Sequence, residues 1–458
     1  YQTVLWDKYH LLYLDGAYGW DQFDENKVSS RVMDYVAGNL SETGENSVFR
    51  TKLCEASLLE YMFATDNDGT GMLRQASAYM KRHLPEDVAK KMYQQYQDGK
   101  KAEADGKTEY SVEDADQAII NAKKEKEQAD QNDKEGAPQE EAGEKNIQDN
   151  ENNHAQDAED GKKESPIQIV LQLKQNALLG MTVSDMSSLS AKAVEAKDMV
   201  SNRQCETGRY DMKKAEKMNV SDRVMVLEYI GKHFSDYTEP GKGDLTYEME
   251  YILCGKDTDK KNLESSIERL MRMREAANVA HIIADREKLN QTLMIATSLA
   301  GFSGNPAVVK IVQIGVVAAW AYVESILDLR TLLSGGKISL IKSAAEWTTD
   351  LKKLGEIVTG EGKARECKNG LSYQAYIKQL LFAMKEKKMA YRMMDIMELA
   401  MQKEQNGKNA RMDHMIDNMI CELRFEAKPL FAKRSLYGDM EMGGYTFFKR
   451  QKLSYINE

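Results

Sequence analysis

Between Asn121 and Ser165 the chain has no Phe, Tyr or Trp and, Ile147 apart, no large aliphatic residue. Such a stretch cannot bury enough apolar surface to offset its ordering entropy, roughly 1–2 kcal/mol per residue for the backbone alone. Any core must therefore be built from the sequence on either side, and the segment reads as an acidic low-complexity insertion. Its Lys, Glu, Ala and Gln content supports transient helix at the start; beyond Gly136-Ala-Pro138 a solvated coil is expected. The organisation that follows is an N-terminal α+β part (1–120), the disordered insertion (121–165) and a helix-rich α+β part (166–458). The two outer parts are expected to pack into one large domain or two subdomains, and 458 residues fit either.

Charge follows the same division. Residues 121–165 hold fourteen acidic and seven basic residues, so of the net −10 only −3 belongs to everything else. The folded part is nearly neutral and offers no basic footprint, which argues against nucleic acid as a partner. Five scattered cysteines (Cys54, Cys205, Cys254, Cys367, Cys421) form no CxxC pair. Their odd count and long gaps speak against a disulfide framework. The most apolar stretch, Ile311–Val323, has thirteen uncharged residues between Lys310 and Glu324, short of the roughly 20 needed to cross a bilayer. No spanning segment is expected within the chain.

The opening residues, Tyr1 to Gly19, read as the end of a helix running into a short strand at Leu11–Leu14 and a Gly-rich turn. A helix that begins without a cap continues upstream, so a longer parent chain is expected. A helix near Asn26–Leu40, a strand at Leu53–Ala64 and a helix from Gly71 to Tyr96 broken at Pro85 follow. After Pro166, helices are expected at Ile167–Leu179, Val220–His233, Asp259–Ala284, Asp285–Ala300 and Pro306–Leu327, the last apolar on all sides and hence central. Between them Leu245, Tyr247, Met249, Tyr251 and Leu253 alternate with Thr246, Glu248, Glu250 and Ile252, a period of two that predicts a strand. Two stretches of helical spacing, Tyr373–Met384 and Met389–Met401, precede strands at Cys421–Ala427 and Tyr445–Leu453 that can pair as a hairpin across Pro429–Gly444. Dispersed strands must meet non-locally to be stable. The fold class is α+β, predominantly helical with a small, largely antiparallel sheet.

Chemistry-bearing patterns are sparse. His281 with Asp285, and His414 with Asp417, each share a helical or local face, but neither supplies the third ligand that zinc requires; the six histidines do not cluster in sequence. Asp66-Asn67-Asp68-Gly69-Thr70-Gly71 is similar to the start of a calcium loop, yet its twelfth position is Ser77 where a bidentate Glu is needed. A turn in which Asp66 or Asp68 caps the next helix is the expectation. Gly301-Phe-Ser-Gly304, Gly335-Gly336-Lys337 and Gly360-Glu-Gly362-Lys363 lack the spacing of a nucleophile elbow or a phosphate loop. The methionine stripe at 389–401 fits core packing. No catalytic residue, cofactor site or metal site is assigned.

Several stretches, in order, carry a likeness to a known family. They are Leu5-Trp6-Asp-Lys-Tyr9 with Leu14-Asp15-Gly16-Ala-Tyr18-Gly19; Ala64-Thr65-Asp66-Asn67 with Arg74-Gln75-Ala-Ser-Ala-Tyr79-Met80-Lys81; and Phe234-Ser-Asp-Tyr237-Thr with Glu250-Tyr251-Ile252-Leu253-Cys-Gly255-Lys256. Leu270-Met-Arg-Met-Arg274-Glu275-Ala276-Ala-Asn278, Trp320-Ala321-Tyr322-Val-Glu324-Ser325, and Tyr373-Gln-Ala-Tyr376 with Arg392-Met393-Met-Asp395 continue it. The chain resembles an uncharacterised family of exported, N-terminally anchored proteins of Gram-positive anaerobes, often encoded beside tight-adherence (Tad, type IV-like) pilus genes. The resemblance implies a prepilin-like apolar helix upstream of Tyr1, the extracellular face of the cell membrane as location, and pilus or surface-assembly proteins as partners. It implies a non-enzymatic, pilin-like or accessory role. Membrane contact would come only through the upstream helix, and a small-molecule ligand is left unassigned. The acidic insertion departs from the family pattern. An exported enzyme with a site assembled from distant residues, or a surface module binding a ligand or partner, are the alternatives.

Overall fold

The computed structural model describes residues 2–17, 22–44, 51–105, 111–135, 165–210, 218–355, 362–404, 408–427 and 445–455. The fold is α+β and mostly helical, with a small antiparallel sheet. By its contacts the chain divides into two compact units of interleaved segments: one from 1–96, 190–263 and 377–458, the other from 97–189 and 264–376.

The first unit holds the whole sheet: β1 (Leu14–Asp15), β2 (Thr51–Phe63), β3 (Met415–Ala427) and β4 (Tyr445–Ser454). The central strand is β3. One edge pairs with β2 along nearly its full length, from Thr51↔Ala427 to Phe63↔Ile416, with irregularities that bend β2. The other edge takes β1 at Met415 and Ile416 and then β4, from Asn418↔Ser454 to Ala427↔Tyr445. The expected pairing of the last two strands is thus present; the connection at 428–444 lies outside the described residues. Alternation explains why β3 is central, since Met415, Met419, Cys421, Leu423, Phe425 and Ala427 are all buried. Helix α2 (Glu25–Gly44) lays Val28, Val32 and Val36 against that face, with Leu53, Leu58, Tyr61 and Phe63 of β2.

A helical group completes this unit: α1 (Gln2–Tyr9), α3 (Thr70–Lys81), the start of α4 (Glu86–Asp105), α8 (Val220–His233), α9 (Glu248–Cys254) and α14 (Glu386–Gln402). The methionine stripe lies inside, with Met389, Met393, Met397 and Met401 fully buried. The strand expected over Leu245–Leu253 is a correction, because residues 248–254 form α9. The two acids of the presumed polar face turn inward. Glu248 accepts the Ser235 N–H (2.9 Å) and Glu250 the Tyr237 N–H (2.8 Å), and both acids are buried. Gly255 ends the helix in the left-handed region (φ 64°). The Arg392 guanidinium then closes it, donating to the carbonyls of Ile252 (2.9 Å), Leu253 (2.8 Å) and Cys254 (3.0 Å). A Cβ at 255 would run into that guanidinium.

The second unit is built around α12 (Pro306–Leu333), with α5 (Val112–Glu135), α6 (Pro166–Lys174), α7 (Leu178–Thr182) and α11 (Arg286–Ala300) against it. Much of α10 (Asp259–Ala284) and the start of α13 (Tyr373–Phe382) also belong here. Helix α5 runs to Glu135 and buries Ile119 and Ala122, so the acidic segment starts in helix, as its Lys, Glu, Ala and Gln content suggests; the coil expected beyond Gly136 falls on residues 136–164, which lie outside the described residues. Helix α12 runs on past Leu327 and is long and apolar enough to cross a membrane by length and composition, which the sequence reading did not expect. Its most apolar window is 61% buried within the protein, as in a core helix. Its C-terminal half also carries fully buried charges. Asp328 binds Arg274 (2.9 Å) and Lys342 (2.5 Å), Glu324 binds Lys342, and Arg274 donates to the carbonyls of Ser339 (3.0 Å) and Leu340 (2.8 Å).

Two outcomes are expected from these contacts. Gly255→Ala combines a strained backbone with displacement of the Arg392 cap and should cost about 2–4 kcal/mol, measured as a fall in urea midpoint. Lys342→Met leaves buried Glu324 without its cation and should cost about 3 kcal/mol or more. An unchanged midpoint for either variant would show that the contact is dispensable.

Candidate interaction surface

The residues singled out in the sequence are placed mostly in structural roles. Asp66 accepts the N–H groups of Phe63 (2.7 Å) and Gly208 (3.0 Å). It does not cap α3, whose N-cap is Gly69 without a side-chain bond. Asp285 caps α11 through the Glu287 and Lys288 N–H groups, while His281 stacks on Trp347 at 4.9 Å. His414 Nε2 lies 3.1 Å from Glu206, and Asp417 instead accepts from Gln75 (2.9 Å), so that pair does not converge. Gly301–Ser303 is a 3-10 turn between α11 and α12. All five cysteines are free, and Cys254, Cys367 and Cys421 are buried. Among the described residues no group of three or more His, Cys, Asp or Glu is arranged to hold a metal ion.

The fold does gather histidines that are far apart in sequence. His10, His83 and His233 surround Tyr79: His10 stacks on it at 4.7 Å, and His83 and His233 lie at 4.3 and 5.4 Å. His10 and His233 are themselves 5.2 Å apart, and Lys232 sits 4.8 Å over the Tyr79 ring. Two local signals underlie the cluster. Tyr79 and His83 are four apart at the end of α3, Tyr229 and His233 four apart on α8, and these helices pack together. His10 joins because α1 ends with it in the left-handed region (φ 52°), its N–H bonding the Trp6 carbonyl (2.9 Å).

Burial pushes the His233 imidazole down to about 4; the Lys8 carbonyl on Nδ1 (2.9 Å) opposes this, and His10, Lys232 and His83 reinforce it. The folded state therefore refuses a proton that the unfolded chain accepts near pH 6.5. No stability is lost above that pH, and stability falls as pH drops from 6.5 towards 4. Discounted for solvent screening, the loss is roughly 1–2 kcal/mol. His233→Gln should flatten this part of the pH profile of the urea midpoint. Parallel profiles for parent and variant would remove His233 as the cause.

On the same unit β4 stands at a margin of the sheet. Among the described residues β3 is the one strand paired with it. Phe447, Phe448, Leu453 and Tyr455 are exposed, Phe448 by 62%. Phe447 stacks on Phe425 at 5.2 Å, which fixes the face shared with Lys449, Gln451 and Leu453. Beside it runs a groove of about 690 Å³, walled by Arg31, Val32, Tyr35 and Val36 of α2 and floored by Met419, Leu423 and Leu453. Tyr35 stands 75% exposed at its rim. Partial desolvation against the groove raises the Tyr455 phenol, with Asp417 adding to the shift. A separate cleft of about 420 Å³ is bordered by the ion pairs Lys8–Glu248 (3.3 Å) and Lys403–Asp244 (2.9 Å).

Residues 156–427, more than half of the chain, match the model of a family of unknown function, DUF5702. The protein belongs to that family. No curated protein and no solved structure matches the chain. The DUF5702 match runs from ahead of α6 to Ala427, the last residue of β3. It takes in His233, Arg392 and the buried cluster on α12, whereas His10, His83, α2 and β4 fall outside it.

Proposed function

We propose that this protein is a non-enzymatic component of a surface assembly: a membrane-anchored protein on the extracellular face, acting as a pilin-like or accessory part of a Tad-type pilus or secretion apparatus. The anchor would be an apolar helix ahead of Tyr1. The collinear resemblance of the quoted stretches supports the setting. The observation that carries the binding role is the apolar groove between α2 and the sheet, with Phe447, Phe448 and Leu453 exposed beside or along it, since an exposed apolar patch is suited to holding another chain. The buried acids described above, by contrast, are engaged in holding loops and salt bridges.

Labelling intact cells of the native host with a membrane-impermeant biotin reagent is expected to tag the protein, and sheared surface fractions should contain it. Deleting the gene should impair pilus assembly or adherence without loss of a metabolic activity. Recovery from the cytoplasm alone, or a turnover activity of the purified chain, would overturn the proposal.

A further inference from the structure

We infer that the histidine cluster is an acid-sensitive latch: protonation of His233 loosens residues 5–12, the end of α1 and the turn after it, from α3 and α8 while the rest of the unit stays folded. The latch itself stands on the contacts below. What it would regulate, the hold of the domain on its anchor, rests on the reading of an anchor ahead of Tyr1.

The first observation is how the segment is held. Tyr229 of α8 donates its hydroxyl to the Tyr9 carbonyl (2.5 Å), and His233, one turn on, donates Nδ1–H to the Lys8 carbonyl (2.9 Å). Gln75 of α3 answers both backbone groups of Leu12, accepting its N–H (3.0 Å) and donating to its carbonyl (3.0 Å). Leu5, Tyr9 and Leu11 are fully buried beside these bonds. His10 lies in the middle of the segment at φ 52°, a backbone setting that the surrounding contacts must maintain.

The second is what surrounds His233. Its ring packs on His10 of α1 (5.2 Å), Tyr79 of α3 (5.4 Å) and Tyr229 of its own helix (4.5 Å). His83 packs on the same Tyr79, whose hydroxyl takes a bond from the Lys232 ammonium (3.0 Å). With Nδ1 engaged, His233 Nε2 is buried and has no hydrogen-bond partner among the described residues. Among those residues no carboxylate pairs with His10, His83 or His233; the histidine that does meet one is His414. Glu248, which shares Lys8 with the cluster, is taken by the Lys8 ammonium (3.3 Å) and the Ser235 N–H (2.9 Å). A second proton on His233 therefore puts an N–H without an acceptor, and a charge without a counter-ion, beside two histidines and a lysine. His83 is exposed and can carry a proton into water.

The third is the direction of the linkage. Burial, with His10, Lys232 and His83 alongside, makes the docked His233 resist a proton that the released ring accepts near pH 6.5. Acid thus favours the released form and neutral pH the docked one. The ring is bonded to α1 and packed on His10, so the shortest route to solvating it is to move α1. Local opening of this kind takes less free energy than unfolding the whole unit.

The test follows amide hydrogen exchange of the chain at pH 7 and pH 5, corrected for intrinsic rates, in peptides covering 5–12 and in reference peptides from β3 and α12. Protection over 5–12 is expected to fall about tenfold at pH 5, the shift being discounted for solvent screening, with both references unchanged. His233→Asn keeps an N–H at the Nδ1 position and cannot be charged, so it should hold protection equal at the two pH values. Tyr229→Phe removes the other grip on α1 without touching the titration. Its protection should fall at both pH values, with the tenfold ratio between them kept. Constant protection of 5–12 in the parent, an equal loss in the references, or a fall that persists in His233→Asn would overturn the inference. So would loss of the ratio in Tyr229→Phe, which decides alone if the references show His233→Asn to be unfolded. Every readout is taken on the purified chain, so failure of the latch is distinct from failure of the anchor reading, which cell labelling decides.

Discussion

Irregular backbone in this protein is held by buried carboxylates. In the sheet-bearing unit, Asp66 takes the Gly208 N–H, Asp395 the Ser201 N–H (3.0 Å), Asp413 the Glu206 N–H (3.0 Å) and Glu398 the Met412 N–H (2.8 Å). Asp259 takes the Thr246 N–H (2.9 Å), and in the helical unit Glu324 takes those of Thr348 (3.1 Å) and Thr349 (2.9 Å). A buried loop N–H left unsatisfied costs about 1–3 kcal/mol, and a bond to a charged acceptor is among the stronger ones available. Long connections such as 190–210 and 235–247 can therefore be fixed without strands of their own. The acids are then shaped by what they hold. Burial raises Asp66 and Asp395; it would raise Asp413 too, but bonds from Arg411, the Glu206 N–H and Arg203 hold that carboxyl well below its usual range.

This use of charge explains which parts of the fold were legible in the sequence. Helices with an apolar stripe or an all-apolar body, such as Val220–His233 and α12, declare themselves through periodicity and lie where it puts them. So do β2, β3 and β4. The reading of Leu245–Leu253 failed because it took Glu248 and Glu250 for a solvent face. Both are interior acceptors for backbone N–H groups 13 residues upstream, at Ser235 and Tyr237, and one glycine and one arginine, Gly255 and Arg392, settle the segment as helix. Long-range partners of that kind leave no periodic trace.

The histidine cluster was hidden for a related reason. His10, His83 and His233 have no common spacing, and only the packing of α3 on α8 and the left-handed turn after α1 bring them to Tyr79. The sheet margin is half legible: the strand pattern of Tyr445–Leu453 is visible, but not its place beside β3 with Lys449, Arg450 and Lys452 exposed.

The central position of β3 has a consequence for how the molecule is made. Its three partners come from residues 14–15, 51–63 and 445–454, so β1 and β2 wait for a strand that begins at residue 415. The sheet cannot close until residues 415–454 have emerged, and loop closure over such distances is slow. The helical unit, drawn from 97–189 and 264–376, is finished earlier. The strands at 14–63 and 415–454 therefore become one sheet only after the residues between them have emerged.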